Sequence, residues 1–292
     1  MRSTRSGSTT TRARTEPTLS SNETRRRELP LWLIAAILLA IAFGLVIGSD
    51  ENYRVIFGAV ATGVWVTVFV TVIAYVLACV IGLGVASAGL SKHRLLREAA
   101  TFYVEIIRGV PVLVLLFYMA FVAAPALIVL WNLVTAPLQA AGILEPASVR
   151  DFDLLWRAVV ALVISYSAFL SEIFRAGLQS VDRGQIEAAK ALGLSRFKVF
   201  RLIIMPQAFR TVLPPLGNDF VAMIKDSSLV SVLGVQDVTQ LGKVYSSGTF
   251  MFFETYNVVA YVYLLMTVSL SLAVRGLESR LQRHRDFIGD RR

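Results

Sequence analysis

The sequence predicts an all-α integral membrane protein with about six transmembrane helices. Of its 292 residues, 55% are hydrophobic and 17% are charged, whereas soluble domains carry about 25% charged residues. Several apolar runs reach the roughly 20 residues that a helix needs to cross a bilayer. Seven arginines lie in residues 1–30 and six in residues 275–292. Because basic segments beside membrane spans favour the cytoplasmic side, we expect both termini in the cytoplasm.

The two ends of the chain are predicted to be basic tails. Residues 1–29 are rich in Ser, Thr and Arg, and such a segment cannot bury enough apolar surface to fold alone. A targeting peptide has a similar composition, but the apolar run that follows is longer than the core of a signal peptide. We therefore expect a disordered cytoplasmic tail at residues 1–29, a transmembrane domain at 30–280 with its core at 58–275, and a basic cytoplasmic tail at 281–292.

The predicted spans follow from the apolar runs between polar loops. They cover roughly residues 31–48, 56–90, 99–122, 154–178, 213–235 and 256–274. Residues 123–153 are also apolar, but prolines and a glycine interrupt them. An additional crossing there would place the basic region 179–210 outside the cell, against the charge rule. We therefore expect residues 123–153 to lie at the outer surface or to be partly inserted.

Side chains that bind metals or catalyse reactions are scarce. The only cysteine, Cys79, lies in an apolar run, and the two histidines, His93 and His284, lie in polar segments without a second ligand nearby. A disulfide framework is excluded, and neither a metal site nor a nucleophile–base pair is indicated. The basic ends lack interleaved aromatic residues. We therefore expect no cofactor, no metal and no nucleic-acid partner.

Charged residues inside the apolar runs are candidates for function. Lys225 and Asp226 fall within the fifth predicted span, where ionised groups usually face a cavity or each other. They could contact a solute, or they could pair and stabilise a bent helix. In the third span Glu105 and Arg108 are three residues apart, so they are expected to face one another. The simpler interpretation is that both are solvated at the inner membrane surface. Glu172 lies near the inner end of the fourth span.

The longest charged, amphipathic stretch is residues 182–206, between the fourth and fifth spans. Asp182 and Gln185 have the spacing of a capping box for a first helix, and Gly193 supplies the left-handed residue that ends it. Ser195 is expected to cap a second short helix, and Pro206 to restart the chain where it re-enters the bilayer. An apolar face of Ile186, Leu192, Leu194, Val199 and Leu202 opposes a charged face. A helix resting on lipid headgroups would show the same periodicity.

This stretch resembles the signature EAA-x3-G-x9-I-x-L-P of membrane subunits of bacterial ATP-binding-cassette importers. The matching residues are Glu187, Ala188, Ala189, Gly193, Ile203 and Pro206, and Met205 stands in place of the Leu. Residues 103–111, 171–181 and 213–235 resemble segments of the polar amino acid uptake subfamily. The resemblance covers about residues 58–280.

The resemblance implies a permease with the type I importer fold. Residues 182–206 would contain the coupling helix that docks on cytoplasmic ATP-binding subunits. A second permease subunit, identical or related, and an extracytoplasmic solute-binding protein would complete the transporter in the bacterial plasma (inner) membrane. The phosphate-binding pattern GxxxxGK[ST] is absent from the sequence, so ATP hydrolysis is expected in a partner chain and the subunit itself is not an enzyme.

The substrate path of such a permease is expected near the charged part of the fifth span. The candidate residues are Asn218, Lys225, Asp226, Ser227, Ser228, Glu105 and Glu172. Val110 and Leu115 stand where the family commonly has Thr and Gln, so the sequence does not predict which amino acid is carried.

Two other classes of protein are compatible with charged residues in a span. An ion-coupled secondary transporter could use Lys225 and Asp226, but such proteins often contain internal repeats, and the two halves of this sequence show none. An intramembrane enzyme would need a nucleophile beside a base, which the spans do not offer.

Overall fold

A computed structural model describes residues 31–289 of the protein. Every regular element within that range is helical. The predicted tail at residues 1–29 lies outside the described residues. The first three helices are α1 (Leu31–Ser49), α2 (Glu51–Ala61) and α3 (Val64–Gly89). Asp50 caps the start of α2: its carboxylate accepts hydrogen bonds from the amides of Asn52 and Tyr53 at 2.9 and 3.2 Å. Such capping satisfies amides that have no partner inside the helix.

A glycine allows the junction of α2 and α3 to approach a later loop. A Cβ atom on Gly63 would lie 2.6 Å from the backbone of both Asp237 and Val238. The contact is with backbone atoms, which cannot rotate away as a side chain can. The amide of Val238 also donates to the hydroxyl of Thr67, at 3.3 Å. This junction therefore anchors residues 237–238 against the start of α3.

The third span is displaced from its predicted position. α4 (Arg94–Gly109) ends before Pro111, and α5 (Val112–Tyr118), a π turn (Met119–Ala123) and α6 (Ala124–Ala140) follow as one continuous helix. Pro111 has no amide hydrogen and interrupts the helix that was predicted over 99–122. Of the two alternatives for residues 123–153, an outer-surface segment is wrong for residues 123–140, which extend the helix of the third span, whereas partial insertion agrees with it.

The second half begins with α7 (Leu154–Gln179), α8 (Arg183–Ala191) and α9 (Arg196–Val199). A second π turn (Phe200–Ile204) leads directly into α10 (Met205–Asp226), followed by a 3₁₀ helix (Ser227–Leu233), α11 (Val238–Thr249) and α12 (Phe252–Gly289). α10 therefore begins before the predicted fifth span at residue 213 and contains Pro214 and Pro215. α12 extends beyond the predicted sixth span into the segment predicted as a basic tail.

Within residues 31–289, four helical segments are long and apolar enough to cross a membrane. They are Glu51–Gly89, Val112–Ala140, Leu154–Gln179 and Phe252–Leu277. α1 contributes a shorter apolar segment, Ile34–Ser49. α10 is not among the four because it carries charged residues and two prolines. The six predicted crossings thus require α1 and α10 in addition to the four apolar segments.

The core lies where α3, α7 and α10 meet. Its fully buried side chains include Val70, Leu116, Leu162, Leu170 and Met223. α3 and α7 approach closely at Gly82, where a Cβ atom would lie 2.9 Å from the carbonyl oxygen of Ser167. Small residues permit such close helix contacts in membranes. A smaller cluster of Ile56, Val60, Val238, Val258, Val259 and Val262 joins α2, α11 and α12.

Candidate functional site

The junction of α7 and α8 is capped differently from the predicted capping box. The carboxylate of Asp182 accepts the amide of Gly184 at 2.6 Å. The side chain of Gln185 does not return to Asp182. Its Oε1 accepts a hydrogen bond from Nε2 of Gln207 at 2.7 Å. Because α10 starts beside α8, Gln185 links these two helices, and the predicted reciprocal cap is wrong.

Gly193 ends α8 in the predicted left-handed conformation, with φ at +79°. Its amide donates to the carbonyl of Lys190 at 2.9 Å, and the amide of Leu194 donates to that of Ala189 at 3.1 Å. This pair of bonds satisfies carbonyls at the helix end. Ser195 then caps α9 by accepting the amide of Lys198 at 3.4 Å.

Pro206 lies in the first turn of α10, as predicted for the start of a helix, but no break in the helical path precedes it. α9, the π turn and α10 form one continuous helical path, and Pro206 occupies the first turn of α10. The amide of Met205 donates to the carbonyl of Phe200, the wide spacing of a π turn. Pro206 has no amide hydrogen, so this path lacks one backbone hydrogen bond directly after the π turn.

The surface of α8 and α9 exposes both polar and apolar side chains. Glu187, Ala188, Gly193 and Pro206 are exposed and Ile203 is partly buried, but Ala189 is only 5% exposed and packs within the chain. Of the predicted apolar face, Leu192 is 82% and Leu202 58% exposed, while Val199 is buried; Phe197 is 68% exposed. We call Glu187, Ala188, Leu192 and Phe197 the α8–α9 surface. It combines charge with unburied apolar area, which is typical of a site that contacts another molecule.

α10 ends beside the middle of α7. The hydroxyl of Tyr166 donates to Oδ2 of Asp226 at 2.8 Å. Tyr166 is the thirteenth of the 26 residues of α7. Ser227 is buried and donates to the carbonyl of Ile224 at 2.7 Å, while Ser228 is partly buried. The α-helix changes to a 3₁₀ helix at this point and does not reach the far end of α7 as a regular span.

Lys225 faces away from Asp226. It lines a cavity of about 220 Å³ between α10 and α12. The polar lining residues are Lys225, Thr267, Ser271 and Arg275. Adjacent residues on a helix do not face each other, and the described residues include no ion pair between Lys225 and Asp226. The interpretation that these two charges pair with each other is therefore wrong.

Sequence reasoning missed part of this polar region. Asn218 is exposed and lies seven residues before Lys225, whereas Asp219 is half-buried and lies seven residues before Asp226. Residues seven apart share a face of a helix. The hydroxyl of Tyr75 donates to the carbonyl of Leu216 at 2.6 Å. An ionisable side chain inside a predicted span was the signal that could have found Asp219. Tyr75 and Tyr166 are common residues in apolar runs, so nothing in the sequence indicated their contacts with α10.

Glu105 and Arg108 do not contact each other, and both are exposed, as the simpler interpretation expected. Nη1 of Arg108 contacts Oε2 of Glu172 at 2.7 Å, and Nη2 of Arg175 contacts Oε1 of the same carboxylate at 2.6 Å. Glu105 is exposed and lies with Glu172 at a cavity of about 30 Å³ between α3, α4 and α7. The described residues contain no cluster of three or more His, Cys, Asp and Glu able to hold a metal ion.

A family comparison identifies the class of protein. Residues 78–285 match the family described as "Binding-protein-dependent transport system inner membrane component". The match covers more than half of the chain, and the chain therefore belongs to this family of multi-pass inner membrane proteins. This finding confirms the predicted family and fold class. α1 precedes the matched residues.

Individual relatives agree with the family. The chain is 35% identical over 221 residues to "Probable glutamine ABC transporter permease protein GlnM" of Bacillus subtilis, covering 76% of this chain and 92% of the relative. It is 33% identical over 222 residues to "Glutamine transport system permease protein GlnP" of Escherichia coli K12, covering 75% and 91%.

Two solved structures share the fold. One, "Crystal structure of an amino acid ABC transporter with histidines", is 33% identical with a TM-score of 0.63, covering 78% of this chain and 95% of that chain. An inward-facing form of the MetNI methionine ABC transporter has a TM-score of 0.57 at 19% identity, covering 80% and 99%. At 19% identity the second likeness concerns the fold alone. The architecture is that of a type I importer permease.

Proposed function

We propose that this chain is the permease subunit through which a polar amino acid enters the cytoplasm, driven by ATP hydrolysis in separate ATP-binding subunits. The observation that supports this proposal most strongly is the position of Lys225 and Asp226. They lie at the end of α10, beside the middles of other membrane helices. The relatives named for glutamine and the solved amino acid transporter support an amino acid as the solute.

The depth of these charges follows from helix geometry. Tyr166, the partner of Asp226, lies 12 residues after the start of α7, about 18 Å along a helix that rises 1.5 Å per residue. Thr267, which shares a cavity with Lys225, lies 15 residues after the start of α12. The hydrocarbon core is about 30 Å thick. Both charges are therefore expected near the bilayer midplane, where interrupted helices form solute sites in many transporters.

The chemistry of the region suits a zwitterion. The carboxylate of Asp226 and the negative end of the α10 dipole attract an ammonium group. Lys225 is on the opposite side of α10, so it would attract the carboxylate of a solute at another point of the path and not of the molecule that Asp226 contacts. The proposed path contains Asn218, Lys225, Asp226, Ser227 and Ser228, with Glu105 and Glu172 at the end that leads to α8.

The α8–α9 surface is proposed to dock on an ATP-binding subunit. Glu187, Ala188 and Gly193 are exposed, as docking requires, and Leu192 and Phe197 offer apolar contact. Ala189 and Ile203 would support this surface from behind, and Pro206 would begin α10 beside it. A second permease subunit and an extracytoplasmic solute-binding protein complete the proposed assembly.

The proposed topology places α8 and both chain ends in the cytoplasm. The basic segments at 1–29 and 281–292 favour that side. The transmembrane domain at residues 30–280, with its permease core at 58–275, lies between them. The alternative of an ion-coupled secondary transporter loses support, because the family is defined by binding-protein-dependent transport.

Reconstituted transport tests the proposal. The complex that co-purifies with this chain is placed in vesicles with its solute-binding protein, and uptake of a panel of labelled amino acids is measured with and without ATP. We expect uptake of a polar amino acid only with ATP. Uptake that follows a sodium or proton gradient without ATP contradicts the proposal, as does ATP-dependent uptake restricted to solutes that are not amino acids.

A further inference from the structure

An ion pair joins α4 to α7 near the start of the α8–α9 surface. Glu172 uses one carboxylate oxygen for Arg108 of α4 and the other for Arg175, three residues further along α7. Only the contact with Arg108 connects two helices. The guanidinium of Arg108 also lies 5.6 Å from the ring centroid of Phe169 on α7, a cation–π contact that keeps it against this helix.

Other contacts hold α4 on α7 one to two turns before Arg108, so the ion pair fixes only the last turn of α4. The hydroxyl of Tyr103 already contacts the carbonyl of Ile164 at 2.9 Å and the hydroxyl of Ser167 at 2.6 Å. Ala100 and Val104 are buried on the same face of α4. The side chains of Arg108 and Glu172 are 42% and 34% exposed, and ion pairs with this much exposure contribute little to folding stability.

The Arg108–Glu172 pair lies between the end of α7, which leads to α8, and the interruption that follows α4. Glu172 is seven residues before the end of α7, and three residues, 180–182, connect that helix to α8. A displacement of α8 therefore acts directly on this end of α7. Arg108 immediately precedes the interruption at Gly109–Pro111, where Val110 is extended and Pro111 lacks an amide. α4 can consequently change its angle to the helix at Val112–Ala140 without breaking a regular hydrogen-bond ladder.

A solute contact does not explain the arrangement. Both oxygens of Glu172 are occupied by arginines, and the cavity beside it holds only about 30 Å³. That volume accommodates one or two water molecules. The cavity beside Lys225, at about 220 Å³, is several times larger. Glu172 therefore holds α4 at the end of the proposed path, where no solute fits in this conformation.

From this geometry we infer that Arg108 and Glu172 are positioning residues that carry the movement of α8 to α4 and thereby to the third span. The inference rests on the proposed function, because it assumes that α8 receives the movement of an ATP-binding subunit. Docking displaces α8, α7 follows through residues 180–182, and the Arg108–Glu172 pair makes α4 follow at the interruption near Pro111.

Matched substitutions on the two arginines test the inference. Arg108→Gln removes the bridge between helices, whereas Arg175→Gln removes the other partner of Glu172 within α7. In reconstituted vesicles, we expect Arg108→Gln to lower the solute moved per ATP hydrolysed several-fold, with an unchanged KM for the solute. Arg175→Gln should stay close to the unsubstituted complex. The doubly exchanged Arg108→Glu, Glu172→Arg chain should recover part of the loss.

Three results would overturn the inference. Both single variants could reduce coupling equally, Arg108→Gln could match the unsubstituted complex, or its KM could rise with coupling unchanged. The last outcome would indicate a solute contact. The amount of inserted protein and the retained ATP-binding subunits are measured for each variant, so that loss of assembly is separated from loss of coupling.

A distance measurement separates this inference from the proposed function. Spin labels replace Leu95 of α4 and Val134 of α6, both exposed, in a chain whose Cys79 is changed to serine. Nucleotide binding should change the distance between the labels in the otherwise unsubstituted chain and not in Arg108→Gln. An equal change in both chains, or none in either, refutes the inference and leaves amino acid uptake unaffected. Absent uptake in the unsubstituted complex refutes the proposed function instead.

Discussion

Lys225 and Asp226 are adjacent in the sequence, yet their side chains face different helices. Asp226 is held by the hydroxyl of Tyr166 on α7, and Lys225 faces Thr267 and Ser271 on α12. Charges at membrane depth are costly unless they have partners or line a cavity. Here one charge has a hydrogen-bond partner and the other lines a cavity. The side chain of each residue therefore has its own environment, and each can be altered separately.

Asp226→Asn removes a charge without removing the hydrogen bond. The amide oxygen of asparagine still accepts from Tyr166, so the fold is expected to persist. Because a hydrogen bond to a charged group contributes about 1.5–3 kcal/mol, we expect the KM for uptake to rise roughly tenfold or more. Tyr166→Phe is the matched control, since it removes the bond and keeps the charge. A change confined to protein abundance would show that Asp226 is structural.

The α8–α9 element depends on the backbone of one glycine. Gly193 has φ at +79°, and no atom lies within 4 Å of the position that a Cβ would take. A side chain there meets open space, so its cost comes from backbone conformation alone. The left-handed region costs L-residues roughly 1–2 kcal/mol, whereas asparagine visits it more readily.

The effect of substituting Gly193 should therefore depend on how readily the new residue adopts the left-handed conformation rather than on the size of its side chain. Gly193→Val is expected to disturb the turn between α8 and α9, reduce co-purification of the ATP-binding subunit and abolish most uptake. Gly193→Asn should retain both. Immunoblots of membranes verify insertion. If asparagine is as harmful as valine, a clash with the partner rather than the backbone explains the effect.

For the whole molecule, one topology accommodates the displaced third span. With Val112–Ala140 in place of residues 99–122 as the third crossing, the proposed topology predicts that the loop after α6 lies on the side opposite to α8 and both chain ends. In this loop Ile143 is 69% exposed. α4, including Leu95, precedes this crossing and is therefore expected on the same side as α8.

Single-cysteine labelling tests this topology in intact cells. In a chain with Cys79→Ser, Ile143→Cys should react with an impermeant maleimide added outside. Leu95→Cys and Leu192→Cys should react only after permeabilisation, as should tags at either terminus. Labelling of either terminus from outside contradicts cytoplasmic chain ends, and labelling of only one of them contradicts the even number of crossings. Protection of Ile143→Cys contradicts the revised third span.

The sequence predicted those features that depend on local patterns. Apolar runs identified the membrane helices, and the spacing from Glu187 to Pro206 identified the family. The partners of Gln185, Arg108 and Asp226 were not predictable, because each lies on a helix distant in sequence. The boundaries of the third span were also misplaced. Pro111 divides one apolar stretch into two helices, and the second helix continues beyond residue 122, where the span was expected to end.

The length of that third helix has a consequence for the shape of the protein at the membrane surface. Val112–Ala140 has 29 residues, about 43 Å at 1.5 Å per residue, and exceeds a hydrocarbon thickness of about 30 Å. Its first strongly polar residue is Asn132, 20 residues and about 30 Å from Val112. Asn132 bonds Gln139 and both backbone groups of Ala147 at 2.8–3.2 Å. Because Asn132 and its partners are polar, we expect the last two turns of this helix to extend beyond the hydrocarbon core and to carry the following loop.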